Sequence, residues 1–272
     1  MIPPSFEYEV AESVEHASEL LGRFNGEAKV LAGGQSLLPL LKLRLADVPA
    51  LVDIGRLTDL AYVREDGDRV AIGAMTRYSD LEHDETLARA CPLLAKACAE
   101  VGDPQVRHMG TIGGACAHGD PASDVPTALV ALEGELVTSA GRTISAADFF
   151  QGVFMTALEP TEVLTEIRVP KTTGGWAYEK FHPRAQDWAI VGVAVATNGK
   201  PRVALTNMGP TPIRATAVEE ALAGGADPAT AAERATEGTS AIDDPFATAD
   251  YRRHLTPILV RRALEAAARA SR

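Results

Sequence analysis

Twice along the chain an apolar run breaks at a cluster of glycines and small polar residues, and these two breaks limit what the chain can fold around. The first is Leu31-Ala32-Gly33-Gly34-Gln35-Ser36-Leu37-Leu38-Pro39-Leu40-Leu41-Lys42. Adjacent glycines free the backbone to take positive φ and let a ligand approach the main chain closely. Consecutive N–H groups here are expected to form an anion-binding nest, reinforced by a helix starting after Ser36. Gln35 and Ser36 add neutral donors. The second break is Gly110-Thr111-Ile112-Gly113-Gly114-Ala115-Cys116-Ala117-His118-Gly119-Asp120-Pro121-Ala122-Ser123-Asp124. Its glycines are expected to expose further backbone donors, with Asp120, Ser123 and Asp124 available to sugar-like hydroxyls. A Gly-Gly pair alone also serves a plain turn. Neither run is GxGxxG or GxxxxGK[ST], so the common dinucleotide and P-loop signatures are absent. Two such loops together suit a ligand of two halves joined by a pyrophosphate.

Charge sharpens that expectation. The formal net charge is −11, which argues against nucleic acid as a partner, since neutralising phosphates takes clustered Lys and Arg. The overall field repels a pyrophosphate too, so local dipoles must hold it. Three cysteines, Cys91, Cys98 and Cys116, lack CxxC spacing and are too few to carry an iron–sulfur cluster alone. They read as small buried apolar residues. Scattered histidines without HExxH do not suggest zinc. Asp80, Glu82, Asp84 and Glu85 read as a solvated acidic face, and Arg107 either faces a phosphate or pairs with Asp103. His108, His118 and His182 either tune a bound group or are structural. No apolar run is long enough for a membrane span. Met1 to Glu7 has neither basic flank nor apolar h-region, so a cytoplasmic location is expected.

The period of the apolar residues predicts the organisation. Strands are expected at Phe6–Val10, Ala28–Leu31 and Leu51–Ile54, with a helix capped by Ser13 between the first two. This gives a small α/β lobe over about residues 1–55 with parallel pairing. From 56 to 170 the pattern mixes strands (Val70–Ile72, Glu135–Thr138, Val163–Val169) with a helix after Pro92. Pro170 through Gly175 reads as a linker. Beyond it, strands at Trp176–Phe181, Ala189–Ala196 and Arg202–Leu205, the last two joined by an Asn198-Gly199 turn, precede helices at Ala215–Leu222 and Pro257–Ala268.

Ala32-Gly33-Gly34-Gln35-Ser36 with Pro39 and Lys42, joined to Thr111-Ile112-Gly113-Gly114 and Asp120-Pro121, resembles the FAD-binding medium subunit of molybdenum hydroxylases, the carbon monoxide dehydrogenase and xanthine dehydrogenase family. The likeness continues through Leu51-Val52-Asp53-Ile54, Ile72-Gly73-Ala74-Met75-Thr76 and Leu205-Thr206-Asn207-Met208-Gly209-Pro210-Thr211-Pro212. It implies an α+β chain: a two-lobed FAD-binding domain of the vanillyl-alcohol-oxidase type over 1–170, then a C-terminal sheet-plus-helices domain over 176–272. It would place Ala32, Gly33, Gly34, Gln35 and Ser36 around the pyrophosphate, and Thr111, Ile112, Gly113, Gly114 and Ala115 on its other side. Asp124 would lie near the ribityl chain, Lys180 would contact the cofactor, and Trp188 would stand beside the isoalloxazine ring. Trp188 read without the resemblance is a core anchor of the C-terminal sheet.

The resemblance further implies partners: a small subunit with [2Fe–2S] clusters and a large molybdopterin subunit, in a dimer of heterotrimers, with an external electron acceptor. No acid–base catalytic residue is implied in this chain. Gln35 stands where carbon monoxide dehydrogenases commonly have His, Ala115 where they often have Asn, and Trp188 where they have Tyr, so the substrate is left unassigned. Two other functions fit the residues alone: a self-contained FAD-dependent oxidase of a small alcohol or aldehyde, and a non-catalytic binding module.

Overall fold

The computed structural model describes residues 2–270. Met1, part of the Met1–Glu7 reading, and Ser271 and Arg272, part of the expected domain over 176–272, lie outside the described residues.

The first lobe is the expected parallel unit. Strand β1 (Glu7–Val10) leads to α1 (Val14–Arg23), where the Ser13 hydroxyl accepts from the His16 N–H and Ala17, Leu20 and Leu21 face the core. Strand β2 (Lys29–Leu31) leads through the first glycine loop to α2 (Leu37–Leu43), and β3 (Ala50–Asp53) follows. The sheet order is β1-β3-β2, parallel throughout. The first glycine loop therefore leaves the carboxyl end of a parallel strand, where open α/β sheets offer their crevices.

The second lobe opens with the hairpin β4 (Val63–Asp66) and β5 (Arg69–Gly73). Six helices follow: α3 (Tyr78–Leu81), α4 (Glu85–Ala90), α5 (Pro92–Ala99), α6 (Pro104–Met109), α7 (Ile112–His118) and α8 (Asp124–Ala131). Strands β6 (Glu135–Thr138) and β7 (Thr143–Ser145), helix α9 (Ala146–Phe149), the small ribbon β8 (Phe150–Gly152) with β9 (Met155–Thr156), and β10 (Leu164–Pro170) complete it. The main sheet is antiparallel in the order β4-β5-β10-β6-β7.

The last lobe holds β11 (Trp176–Phe181), β12 (Val191–Ala196), β13 (Arg202–Thr206) and β14 (Ile213–Arg214) in consecutive antiparallel order. Helices α10 (Thr216–Ala223), α11 (Pro228–Ala232) and α12 (Ala249–Ala270) cover it. Strand β12 explains the layering. All six of its residues are buried, so it is covered on both faces, as a continuous apolar run requires. Val191, Val193 and Val195 pack in the core beneath α12. Ala194 and Ala196 pack with Ala204 and Tyr178 into the core of the second lobe, against α5 and α8. Small residues on that face let two helices approach the sheet.

Two expectations are corrected here. The C-terminal helix starts at Ala249 rather than Pro257, because Arg252, Leu255 and Thr256 extend its buried stripe upstream and hold those turns in the core. The second glycine run is largely helix: Thr111 caps α7, its hydroxyl accepting from the Gly114 N–H at 3.2 Å, and Asp124 opens α8.

Glu162 stitches the β6–β7 hairpin to the approach of β10. It accepts from Arg142 Nε at 2.8 Å, from Arg142 Nη2, from the Thr138 hydroxyl at 2.8 Å and from the Glu159 N–H at 2.9 Å. The Arg142 hydrogen bonds foremost pull its carboxyl from 4.5 down to about 2. A depressed carboxylate stabilises the fold above the unfolded pKa and ceases to do so as pH falls through the folded one. Glu162→Gln should therefore lower the melting temperature at neutral pH, and its deficit against the wild type should shrink as pH falls from 4.5 to about 2. A deficit that stays constant over that window contradicts the assignment.

Candidate flavin site at the glycine loops

The two glycine runs meet backbone to backbone. A Cβ on Gly33 would stand 2.2 Å from the Met109 carbonyl oxygen and 2.8 Å from Gly110 Cα. A Cβ on Gly114 would stand 3.8 Å from Ala32 Cβ. Gly34 takes φ +72°, the left-handed region that favours glycine. Past this turn the amides of Gly33, Gly34, Gln35 and Ser36 donate no hydrogen bond among the described residues. Four successive unspent donors in a glycine turn are what an anion nest needs, and they need no cation. Gln35 turns its own amide back to the Gly33 carbonyl at 3.3 Å. Ser36 makes no side-chain cap to α2.

The second run behaves differently from its sequence reading. Its amides are spent inside the protein: Ile112 donates to the Thr76 carbonyl at 3.1 Å, Gly113 to Ala74 at 2.9 Å and Ala115 to Thr111 at 3.1 Å. A Cβ on Gly113 would meet Ala74 Cβ at 2.5 Å and the Ala74 carbonyl oxygen at 2.6 Å. The expectation that these glycines expose donors is therefore corrected. Gly113 is small because α7 lies directly on the Ala74–Thr76 segment, and Ile112 is fully buried beneath it. The helix is the wall against which the first loop is held.

From α7 the chain turns at Gly119, φ +65°, into Asp120-Pro121-Ala122. This turn docks on the C-terminal lobe, the Pro121 carbonyl accepting from the Asn207 N–H at 2.9 Å. Beside the seam opens a cleft of about 250 Å³ lined by Asp120 and Ala122 from one lobe and by Trp188, Ile190, Phe246 and Arg252 from the other. Trp188 is 54% exposed, so it is no core anchor. It stands at the lip of the cleft, where an aromatic face is open to a planar ligand.

Asp124 and Lys180 lie behind this surface. Lys180 is 2% exposed at its side chain and donates to Asp124 Oδ2 at 2.9 Å and to the Glu100 carbonyl at 2.8 Å. The Tyr178 hydroxyl donates to Asp124 Oδ1 at 2.6 Å. Burial pushes the Asp124 carboxyl up, and the Lys180 ammonium opposes that rise. The pair joins α5 and α8 to β11 and so fixes one lobe on the other. In this arrangement both head groups are engaged with each other, with Tyr178 and with the Glu100 carbonyl.

The other candidates resolve simply. Arg107 pairs with Glu82 at 2.8 Å rather than with Asp103, and Asp103 and Asp84 cap helices instead. His108 meets the Pro104 carbonyl at 2.7 Å and His182 the Arg184 carbonyl at 2.5 Å. His118 lies 4.8 Å from the Phe154 ring, and burial holds its pKa below the ordinary histidine value. The cysteines are buried and free, with Cys116 pushed up to about 12 by desolvation. Among the described residues there is no cluster suited to a metal ion and no helix long and apolar enough to cross a membrane. Sequence reasoning missed Asp244, Phe246 and Arg252. The signal for Arg252 was its place on the stripe Arg252-Leu255-Thr256-Leu259, which a helix begun at Pro257 leaves out.

Replacing Gly113 by Val should drive α7 off the Ala74 segment, at a cost of about 1–3 kcal/mol or more from overpacking, and abolish retention of FAD. Gly22, where an added Cβ meets nothing within 4 Å, supplies the control: Gly22→Ala should keep both stability and FAD. Melting curves with and without FAD check this, and a Gly113→Val chain that melts and binds like wild type contradicts the packing argument.

Two family models match the chain, the FAD binding domain in molybdopterin dehydrogenase over residues 4–172 and the CO dehydrogenase flavoprotein C-terminal domain over residues 176–267. The chain is 43% identical over 282 residues to the carbon monoxide dehydrogenase medium chain of Hydrogenophaga pseudoflava, with 98% of each covered. It is 35% identical over 288 residues to the 6-hydroxypseudooxynicotine dehydrogenase complex subunit alpha of Paenarthrobacter nicotinovorans, covering 100% of this chain and 97% of that one. Its fold superimposes on a solved carbon monoxide dehydrogenase from Hydrogenophaga pseudoflava that lacks the Mo-pyranopterin moiety, with TM-score 0.94, 44% identity and 100% of both chains covered. With both family models matched and relatives aligned end to end, the chain belongs to the FAD-binding medium subunits of the carbon monoxide dehydrogenase and molybdenum hydroxylase family.

Proposed function

We propose that this chain is the flavin-carrying electron-transfer subunit of a cytoplasmic molybdenum hydroxylase. It receives electrons from [2Fe–2S] clusters on a small partner subunit and delivers them to an external acceptor, with the substrate oxidised at molybdenum on a large partner. A dimer of such heterotrimers is the proposed assembly. The observation that carries this reading is the run of unspent amides at Gly33, Gly34, Gln35 and Ser36, held against a wall of backbone, in a chain whose net charge is −11.

In this reading the chain's FAD-binding part, 1–170, presents those amides to the pyrophosphate, and the part from 176 onward presents Trp188 to the ring. Thr111, Ile112, Gly113, Gly114 and Ala115 serve the cofactor by shaping the opposite wall, with Thr111 holding the Gly114 amide. Asp124 and Lys180 position the two lobes about the cofactor. Bound FAD supplies the exchange of electrons, while the protein supplies binding, orientation and electrostatics. Exposed Val153, Phe154 and Met155 at the tip of the β8–β9 ribbon suit contact with a partner chain. No residue here reads the substrate: relatives that match end to end carry the names of carbon monoxide and 6-hydroxypseudooxynicotine dehydrogenases.

The test is the absorbance spectrum of the purified chain before and after heat release of its cofactor. Flavin bands, with FAD as the released species, are the expected result. A colourless chain that gains neither absorbance nor thermal stability when FAD is added refutes the reading and favours a module whose glycine loops are only turns. Turnover of a small alcohol or aldehyde by the isolated chain would instead point to a self-contained oxidase.

A further inference from the structure

Arg252 is the largest of the fully buried side chains, 1% exposed. It reaches from α12 to two segments that bound the cleft. Its Nη1 donates to the Ile190 carbonyl at 2.5 Å, two residues from Trp188, and its Nη2 pairs with Asp244. Asp244 Oδ1 in turn accepts from the Phe246 and Ala247 amides at 2.8 and 2.9 Å, which shapes the turn carrying Phe246. Phe246 is 72% exposed and lines the same cleft as Trp188. One guanidinium thus fixes the backbone beneath both aromatic lips. Its Nε–H has no hydrogen-bond partner among the described residues. A buried charged donor left unpaired is costly unless something at the site uses it.

The lining of the cleft makes this charge more telling. Arg252 is the one cation among the lining residues, which also include Asp120, Asp187 and Asp244. We infer that Arg252 is a positioning and electrostatic residue for the flavin ring: it sets the two aromatic lips and favours the reduced, anionic ring over the oxidised one. This rests on the placement of the ring at Trp188 proposed above. Two electrons and one proton added to the neutral ring leave a monoanion. The electrons come from the reductant and the proton from solvent. A buried cation, here partly compensated by Asp244, stabilises that added negative charge more than water-screened charge would.

The experiment uses the full chain loaded with FAD. Its two-electron potential is measured against a reference dye, with dithionite as the reductant, and melting curves report folding. Arg252→Gln should weaken the preference for reduced over oxidised flavin about tenfold, or about 30 mV. Arg252→Lys, which keeps the charge, should restore most of that preference. Asp244→Asn leaves the cation uncompensated and should shift the potential the other way. If Arg252→Gln fails to fold, the upward shift in Asp244→Asn still supports the inference, and no shift or a downward one overturns it. Equal shifts in Arg252→Gln and Arg252→Lys also overturn it, because they would trace to packing rather than charge. A wild-type chain that binds FAD without quenching Trp188 fluorescence, judged against Trp188→Phe, overturns the ring placement itself and the inference with it.

Discussion

Everything at the site depends on the contact between Gly33 and the Met109–Gly110 backbone. A side chain on Gly33 would need space already filled by a carbonyl oxygen at 2.2 Å, so the two loops can approach only because one of them has no Cβ. That approach puts the turn after β2 against the end of α6, beside the start of α7. That helix needs its own close contact, since Gly113 brings α7 onto Ala74 with its amide bonded at 2.9 Å. The resulting division of labour is asymmetric. One glycine run keeps its donors free, and the other spends its donors holding the first in place.

The second lobe and the C-terminal lobe are locked by chemistry of a different kind. Strand β12 carries alanine toward the flavin-binding core and valine toward α12, so one strand serves two cores. The buried Lys180–Asp124 pair, with Tyr178, then fixes the register of β11 on α5 and α8. Breaking a pair of this type by removing one partner costs about 3–5 kcal/mol, because the other charge is left buried. The cleft at Trp188 lies where the Asp120–Ala122 turn meets the C-terminal lobe.

Much of this was legible in the sequence because local rules and tertiary packing agree. Ser13 before an apolar helix, Pro92 at a first turn and Asn198-Gly199 between two strands each produced the element they signal. The first glycine loop also read correctly, as a turn with free amides. What stayed hidden were roles decided by partners far along the chain. Nothing in Thr111-Ile112-Gly113-Gly114 announces that Ala74 and Thr76 will consume its amides. The resemblance assigns Lys180 and Asp124 to the cofactor, and nothing in the sequence announces that they also pair with each other, which follows from the packing of β11 on α8. Trp188 could equally have been a core residue until its exposure was seen. Arg252 was masked by Pro257, which resembles a helix start and in fact lies inside α12.

The central claim is that the first loop offers its amides to the cofactor and the second only supports it. Hydrogen–deuterium exchange with and without FAD separates the two roles amide by amide. The account predicts that FAD slows exchange at Gly33, Gly34, Gln35 and Ser36, which are unbonded among the described residues. Ile112 and Gly113, already bonded to Thr76 and Ala74, should exchange slowly in both states. New protection confined to Ile112 and Gly113, with the first loop still exchanging freely, would contradict it.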